Sequence, residues 1–474
     1  MDRTSGAVVR KDCEFIREPK PKTVFVSIGL YNSNKQFRQQ TVIFKKEAVY
    51  SRKVTINGIT IHMKKMNQSG FHLWIVPLLI LVIGFIGFAA MRVGKSDGPK
   101  DEGGSGQQKG NTLSFADQYK DTCKDRSVDF TSPPLKMQDL GYIRPLGAML
   151  DGHVTPTDHV YVGPVNRNVA DNTYPVLMPA NGTVVDISRM PDQYIGDRSG
   201  TQLAPEDHRI VVSFSCRYYA IFIHIHKLAG KLATETQGLQ PNESKKVSID
   251  LKAGDTIGYI GGDTFDWTPV DTSKKLSGFI SPKLYMGESW KINTVSPFDL
   301  YKGSLKMQLE AKSLRTAAPI GGKIDYDKPG KLIGSWFRQG TNGYSGSDQQ
   351  RYWDGHLSIV PDYIDPSYTI VSIGNWQDKA GQFVVKGTVD PAKISAKDGM
   401  VKMELAKLNY VSDPGAAQMG SGYSKGMHPD PNAPVVGTIA FQVESGEKLK
   451  VEKFVGKTPA QVTGFTSAAQ TYER

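Results

Sequence analysis

Residues 71–91, FHLWIVPLLILVIGFIGFAAM, contain no Asp, Glu, Lys or Arg. A helix of about 21 residues matches the roughly 30 Å hydrocarbon core of a bilayer. A helix of that length in a soluble protein keeps a polar face. Pro77, near the start, is tolerated where neighbouring groups satisfy the freed carbonyl. About 70 residues precede the run, and a cleaved signal peptide begins near the N-terminus. The expectation is a single-pass transmembrane helix.

Charge sets its direction. Residues 1–70 hold 14 Lys/Arg against 5 Asp/Glu, whereas the rest of the chain holds 44 against 42. Lys64 and Lys65 stand just before the apolar run, which places the basic arm in the cytoplasm by the positive-inside rule. The C-terminal ectodomain then lies outside the cytoplasm. Beside the lipid bilayer such an arm is drawn to anionic lipid headgroups. Nucleic acid is not expected as a partner, because no recognised binding motif is present. Cys123 and Cys216 fall on the oxidising side, where one disulfide or two separate buried thiols are equally open.

The fold class expected is mostly β. In the arm, TVFVSIGLY, QQTVIF, KVTING and ITIHM read as a short meander, with Asn57-Gly58 as a two-residue hairpin turn. Residues 92–132, rich in Gly, Ser and charge over 95–111, read as a flexible linker. Short β-branched and aromatic runs between Gly, Pro, Asn and Asp follow, with no long amphipathic helix. AKSLRTAAPIGGK interrupts them and divides a β domain at 133–312 from a C-terminal β sandwich or barrel at 313–474. In the second, Asp354 and His356 sit two apart, as a structural pair, and residues 341–347 read as a surface loop.

Five of the nine histidines fall in the first of these domains: His153, His159, His208, His224 and His226. On a regular strand His224 and His226 project from one face. Two imidazoles and a carboxylate make a plausible zinc set. Around them, residues 179–186 and 251–262 read as two strand-turn-strand hairpins, with the His224/His226 strand between.

That order of motifs resembles the M23 (LytM-type) metallopeptidase family over residues 140–300. The family's lipoyl-like barrel-sandwich core carries, in order, HxxxD, a hairpin, a YxH strand, a second hairpin and a closing HxH strand. The resemblance implies zinc on His153, Asp158 and Asp266, with His224 or His226 as the catalytic histidine. The pattern departs from the family at the ligands. His153 and Asp158 are one residue too far apart, Thr157 stands where the Asp falls, and Asp266 lies where HxH is missing. His159, or one of His224 and His226, is available to complete the set. Two functions follow. One is an envelope protein whose degenerate M23-like domain binds a cell-wall or surface polymer or an envelope protein. The other is a metal-dependent envelope peptidase. The altered ligand positions favour the first.

Overall fold

The computed structural model describes residues 115–474, apart from 192–193, 196–201, 204–205, 348–350 and 421, together with four N-terminal strands. The chain divides into two compact units, Met1–Pro99 and Lys100–Arg474. In the first unit, β1 (Val24–Tyr31) pairs antiparallel with β2 (Phe37–Phe44), and β3 (Lys53–Ile56) with β4 (Ile59–His62). Ile56 pairs with Ile59; the expected Asn57-Gly58 turn lies outside the described residues. The meander is instead two separate two-stranded sheets. Residues 71–91 and 95–111 lie outside the described residues. Among those described, no helix is long and apolar enough to cross a membrane.

The second unit is mostly β with few helices. Its chain enters through α1 (Phe115–Tyr119), β5 (Leu140–Arg144), β6 (Val160–Pro164), β7 (Tyr174–Leu177) and β8 (Gly182–Arg189). Two-residue strands β9 (Tyr194–Ile195) and β10 (Gln202–Leu203) pair with each other. Then come β11 (His208–Ser213), β12 (Tyr218–Ile225), β13 (Lys227–Leu228), α2 (Gly230–Glu235), β14 (Ser244–Leu251), β15 (Thr256–Ile260) and β16 (Phe265–Asp271). A seven-stranded sheet runs β14-β8-β11-β12-β16-β6-β5, and a three-stranded sheet runs β13-β15-β7. Val162, Val176, Val212, Phe222, Ile257 and Trp267 belong to one continuous buried core.

The two expected hairpins are crossings between these sheets. Residues 178–181 carry the chain from β7 to β8, and residues 252–255 from β14 to β15, each a change of sheet. The turn chemistry at Asn181-Gly182 and Gly254-Asp255 was legible; which partner each strand takes is set by the packing of both faces.

The expected linker ends by Phe115. Phe115 and Tyr119 are buried with Val185, Val211 and Tyr219, and Cys123 is bridged to Cys216. Arg126 donates to Phe214 O at 2.8 Å and to Thr183 Oγ1 at 2.7 Å. This strap buries apolar side chains that an open sheet face would expose.

After α3 (Gly303–Ala311) the chain forms a closed eight-stranded barrel. Its strands are β17 (Gly334–Arg338), β18 (His356–Pro361), β19 (Thr369–Ile373), β20 (Gly381–Val385) and β21 (Val401–Lys407). A long excursion holding β22 (Tyr410–Val411) and β23 (His428–Pro429) precedes β24 (Val435–Glu444), β25 (Lys448–Val455) and β26 (Gln470–Glu473). Trp336, Leu357, Val371, Leu405 and Phe441 fill the interior. Closure removes the free edges that invite mispairing.

Two expectations for this region change. Residues 341–347 are no surface loop: left-handed Asn342 and Gly343 (φ 58° and 59°) turn the chain so that Tyr344 is 5 % exposed. Its ring stands 5.1 Å from that of His356 and 6.1 Å from that of Tyr285. Asp354 and His356 are not paired, since Arg351 takes Asp354 at 3.1 Å while His356 Nε2 meets Tyr344 O at 3.2 Å.

Candidate functional site

Strands β12, β16 and β6 lie side by side, with Ile223 opposite Asp266 and Asp266 opposite Tyr161. Directly opposed residues share a face, and His159, two positions before Tyr161, shares it as well. On a regular strand His224 would point away from this face. A bulge prevents that. Ile210 pairs with Phe222 but His208 pairs with Ile225, leaving an extra residue on β12. His224 takes φ 68°, a left-handed conformation that costs a non-glycine residue about 1–3 kcal/mol. Bulges beside sites re-aim side chains in this way. His224 is thereby brought to Asp266.

The resulting cluster is a chain of alternating acids and imidazoles. His224 Nδ1 lies 2.6 Å from Asp207 Oδ2, and its Nε2 lies 3.6 Å from Asp266 Oδ2. His159 Nε2 approaches the same Asp266 oxygen at 3.4 Å, while its Nδ1 lies 3.3 Å from Asp158 Oδ1. Each imidazole is held by a carboxylate at Nδ1, which frees Nε2 to face a common point. A carboxylate behind a histidine orients the ring in just this fashion in metal sites. His159 Nε2 and Asp266 Oδ1 are buried without a hydrogen-bond partner. The His153 ring is 5.4 Å from that of His159.

Asp158 faces elsewhere. Trp290 Nε1 donates to its Oδ2 at 2.5 Å, and buried Lys291 Nζ stands 3.9 Å from Oδ1. Burial opposes its ionisation, but Lys291 and His159 outweigh burial and hold the carboxyl well below the usual range. Burial would lower the His224 pKa, but Asp266 and then Asp207 raise it to about 9. His159 is raised for the same reason, with Asp266 the larger influence after burial. His153 moves the other way, to about 3, through burial and the neighbouring His159. His224 and His159 both face Asp266, Asp207 backs His224, and Lys291 stands by Asp158, so each acid of the cluster has a basic neighbour.

Of the residues expected from sequence, Asp266 and His224 meet here and His153 lies beside them. Asp158 is committed to Trp290, Lys291 and the far side of His159. His226 follows the bulge: its backbone N–H donates to Tyr259 O at 3.0 Å, and its Nδ1 is buried unpartnered. The equal projection of His224 and His226 fails because the left-handed residue breaks the strand's alternation. His159 takes the place beside Asp266. Asp207, Trp290 and Lys291 had no local signal, since they act across 17, 132 and 133 residues of chain.

Among the described residues no three His, Cys, Asp or Glu side chains form a ready-made metal cage. The nearest approach is His159 Nε2, His224 Nε2 and Asp266 Oδ2. Ligands about 2.0–2.1 Å from tetrahedral zinc stand about 3.3 Å from one another, against 3.4 and 3.6 Å here. Two of the three separations come near that spacing, and Asp158 stands outside the set.

No protein-family model matches the chain, and no curated protein matches it. A similarity to the NMR solution structure of lysostaphin covers 72% of this chain and 90% of that chain, at 8% identity and a TM-score of 0.17. At that level of superposition nothing is carried over from it.

Proposed function

We propose that the protein is a membrane-anchored envelope protein whose two-sheet module is a divergent M23-like domain that binds without cutting. The order of motifs over residues 140–300 supports the resemblance. The commitment of Asp158 supports the loss of hydrolysis. Its oxygens accept from Trp290 and meet His159 at Nδ1, with Lys291 close by. A carboxylate so engaged is not free to hold a metal. Residues 71–91 would anchor the module, and the basic arm would lie against anionic headgroups.

The test uses the full-length chain and insoluble cell-wall polymer, with and without added zinc. Co-sedimentation without release of free amino groups is the expected result. Release of amines that depends on Asp266 overturns this reading.

A second reading, metal-dependent amide hydrolysis, is favoured by the spacing of His159, His224 and Asp266. Zinc held there would lower the pKa of a bound water and polarise a carbonyl. His153, kept neutral by burial and with its ring 5.4 Å from that of His159, would serve as the base. About one zinc per purified chain, lost in Asp266→Asn together with amine release, selects this second function.

A further inference from the structure

The face that carries Asp266 continues outward to a cation without a counter-ion. Arg144 lies directly opposite Tyr161, which lies directly opposite Asp266. The Arg144 guanidinium stacks 5.5 Å from the Tyr161 ring centroid and 4.6 Å from that of Tyr423. Among the described residues it has no carboxylate within ion-pair distance, and its Nε is buried without a partner. Tyr161 is 7 % exposed, and its hydroxyl is likewise buried and unpartnered. Its ring also meets His159 edge-on at 4.8 Å. Buried polar atoms are almost always hydrogen-bonded in native proteins. Three unpartnered donors or acceptors thus lie in one cross-strand row, ending at Asp266 Oδ1.

We propose that Arg144 and Tyr161 anchor a carboxylate of the bound molecule beside the His159–Asp266 pair, so that the ligand is a peptide recognised at its C-terminal carboxylate. The proposal rests on the binding reading above and names the ligand class of that site. Two stacked tyrosines hold the guanidinium plane, and a planar fork of donors matches a two-oxygen acceptor. The Tyr161 hydroxyl adds a third donor. Asp266 Oδ1, free of any protein donor, accepts the neighbouring peptide N–H. A carboxylate carries a single negative charge, whereas phosphate approaches two. The Asp266 carboxylate at the end of the row repels the latter more strongly.

Tri-alanine with a free C-terminus, tri-alanine amide and inorganic phosphate, each titrated into the full-length chain, test the assignment. The free acid is expected to bind at least about tenfold more tightly than the amide or phosphate. Arg144→Met and Tyr161→Phe should each remove most of that preference, weakening the acid far more than the amide. Arg144→Lys should restore only part, because an ammonium lacks the fork. Equal affinity for acid and amide, tighter binding of phosphate, or no binding of any probe overturns the proposal. Should Arg144→Met fail to fold, the wild-type comparison of acid with amide still decides. Amine release from cell-wall polymer with the acid preference intact would sink the non-cutting reading and leave the carboxylate anchor standing.

Discussion

Arg144 and Arg474 are both packed against aromatic rings, and they differ in everything else. Arg474, in the barrel, donates to Glu447 at 2.9 Å and to the carbonyls of Ile333, Lys328 and Lys331 at 2.5, 2.7 and 2.6 Å. Its guanidinium lies 3.9 Å from the Trp336 ring centroid. Arg144 has no such partners. The contrast extends to the two regions. Among the described residues, every buried side-chain nitrogen or oxygen without a partner lies between Arg144 and Tyr285, and none lies in the barrel. A satisfied polar network rigidifies a fold, whereas a partly satisfied one is a standing cost. Such a cost is retained where a ligand relieves it. Among the described residues, the buried polar atoms of the barrel are satisfied and several of those in the two-sheet module are not.

Two histidines repeat the contrast. His224, between carboxylates, has its pKa raised to about 9. His356 is enclosed by the rings of Phe337, Tyr344 and Tyr352, and burial lowers it to about 3. The same side chain is thus held charged in one domain and neutral in the other.

Four measurements sharpen or break this comparison. The largest effect is expected on reducing the Cys123–Cys216 bridge, which closes a loop of 93 residues in the less satisfied module. Loss of that constraint should lower stability by about 4 kcal/mol, read as a fall in urea midpoint with reductant. An unchanged midpoint would mean that the strap holds without its covalent clamp.

Next comes the pair of arginines. Arg474→Met strands buried Asp327 and three carbonyls and should cost about 3 kcal/mol. Arg144→Met removes no hydrogen bond and should cost under about 1 kcal/mol. Equal losses in chemical denaturation would erase the distinction between the domains.

The histidines give opposite pH dependences. His224, raised above its ordinary 6.5, contributes stability that is full below pH 6.5 and is lost as pH rises through about 9. His356, lowered below 6.5, contributes stability that is present above pH 6.5 and is lost as pH falls toward about 3. His224→Gln should flatten the alkaline limb alone, and His356→Gln the acid limb alone. Thermal unfolding across pH 4–10 checks both.

The smallest effect belongs to Tyr161→Phe. Deleting an unpartnered hydroxyl should change stability by less than about 0.5 kcal/mol, or raise it. A loss above about 1 kcal/mol in denaturant titration would show that the hydroxyl already has a protein partner.

Much of this was readable from local pattern. The strand runs after residue 139 and the grouping of five histidines in the first β domain come from the sequence alone. The strand alternation that pairs His224 with His226 is also local, and it failed because one extra residue entered β12. No sequence rule shows that Arg209 faces two residues, since the bulge depends on how β11 and β12 register. Asp158 was legible as a carboxylate near the site. Its capture by Trp290 and Lys291 depends on a contact across more than a hundred residues.

By itself, the sequence determined the β character of the chain, the apolar run at 71–91, the basic arm before it and the residue types available for chemistry. Hydrophobic periodicity and turn residues act over a few positions, so they are written in the order of residues. Tertiary structure alone decided which strands became neighbours, which way His224 points, that Cys123 meets Cys216 and that Arg144 lacks a partner. These depend on the meeting of distant strands, where hydrogen bonds and charge pairs are made or left open only after the sheets have packed.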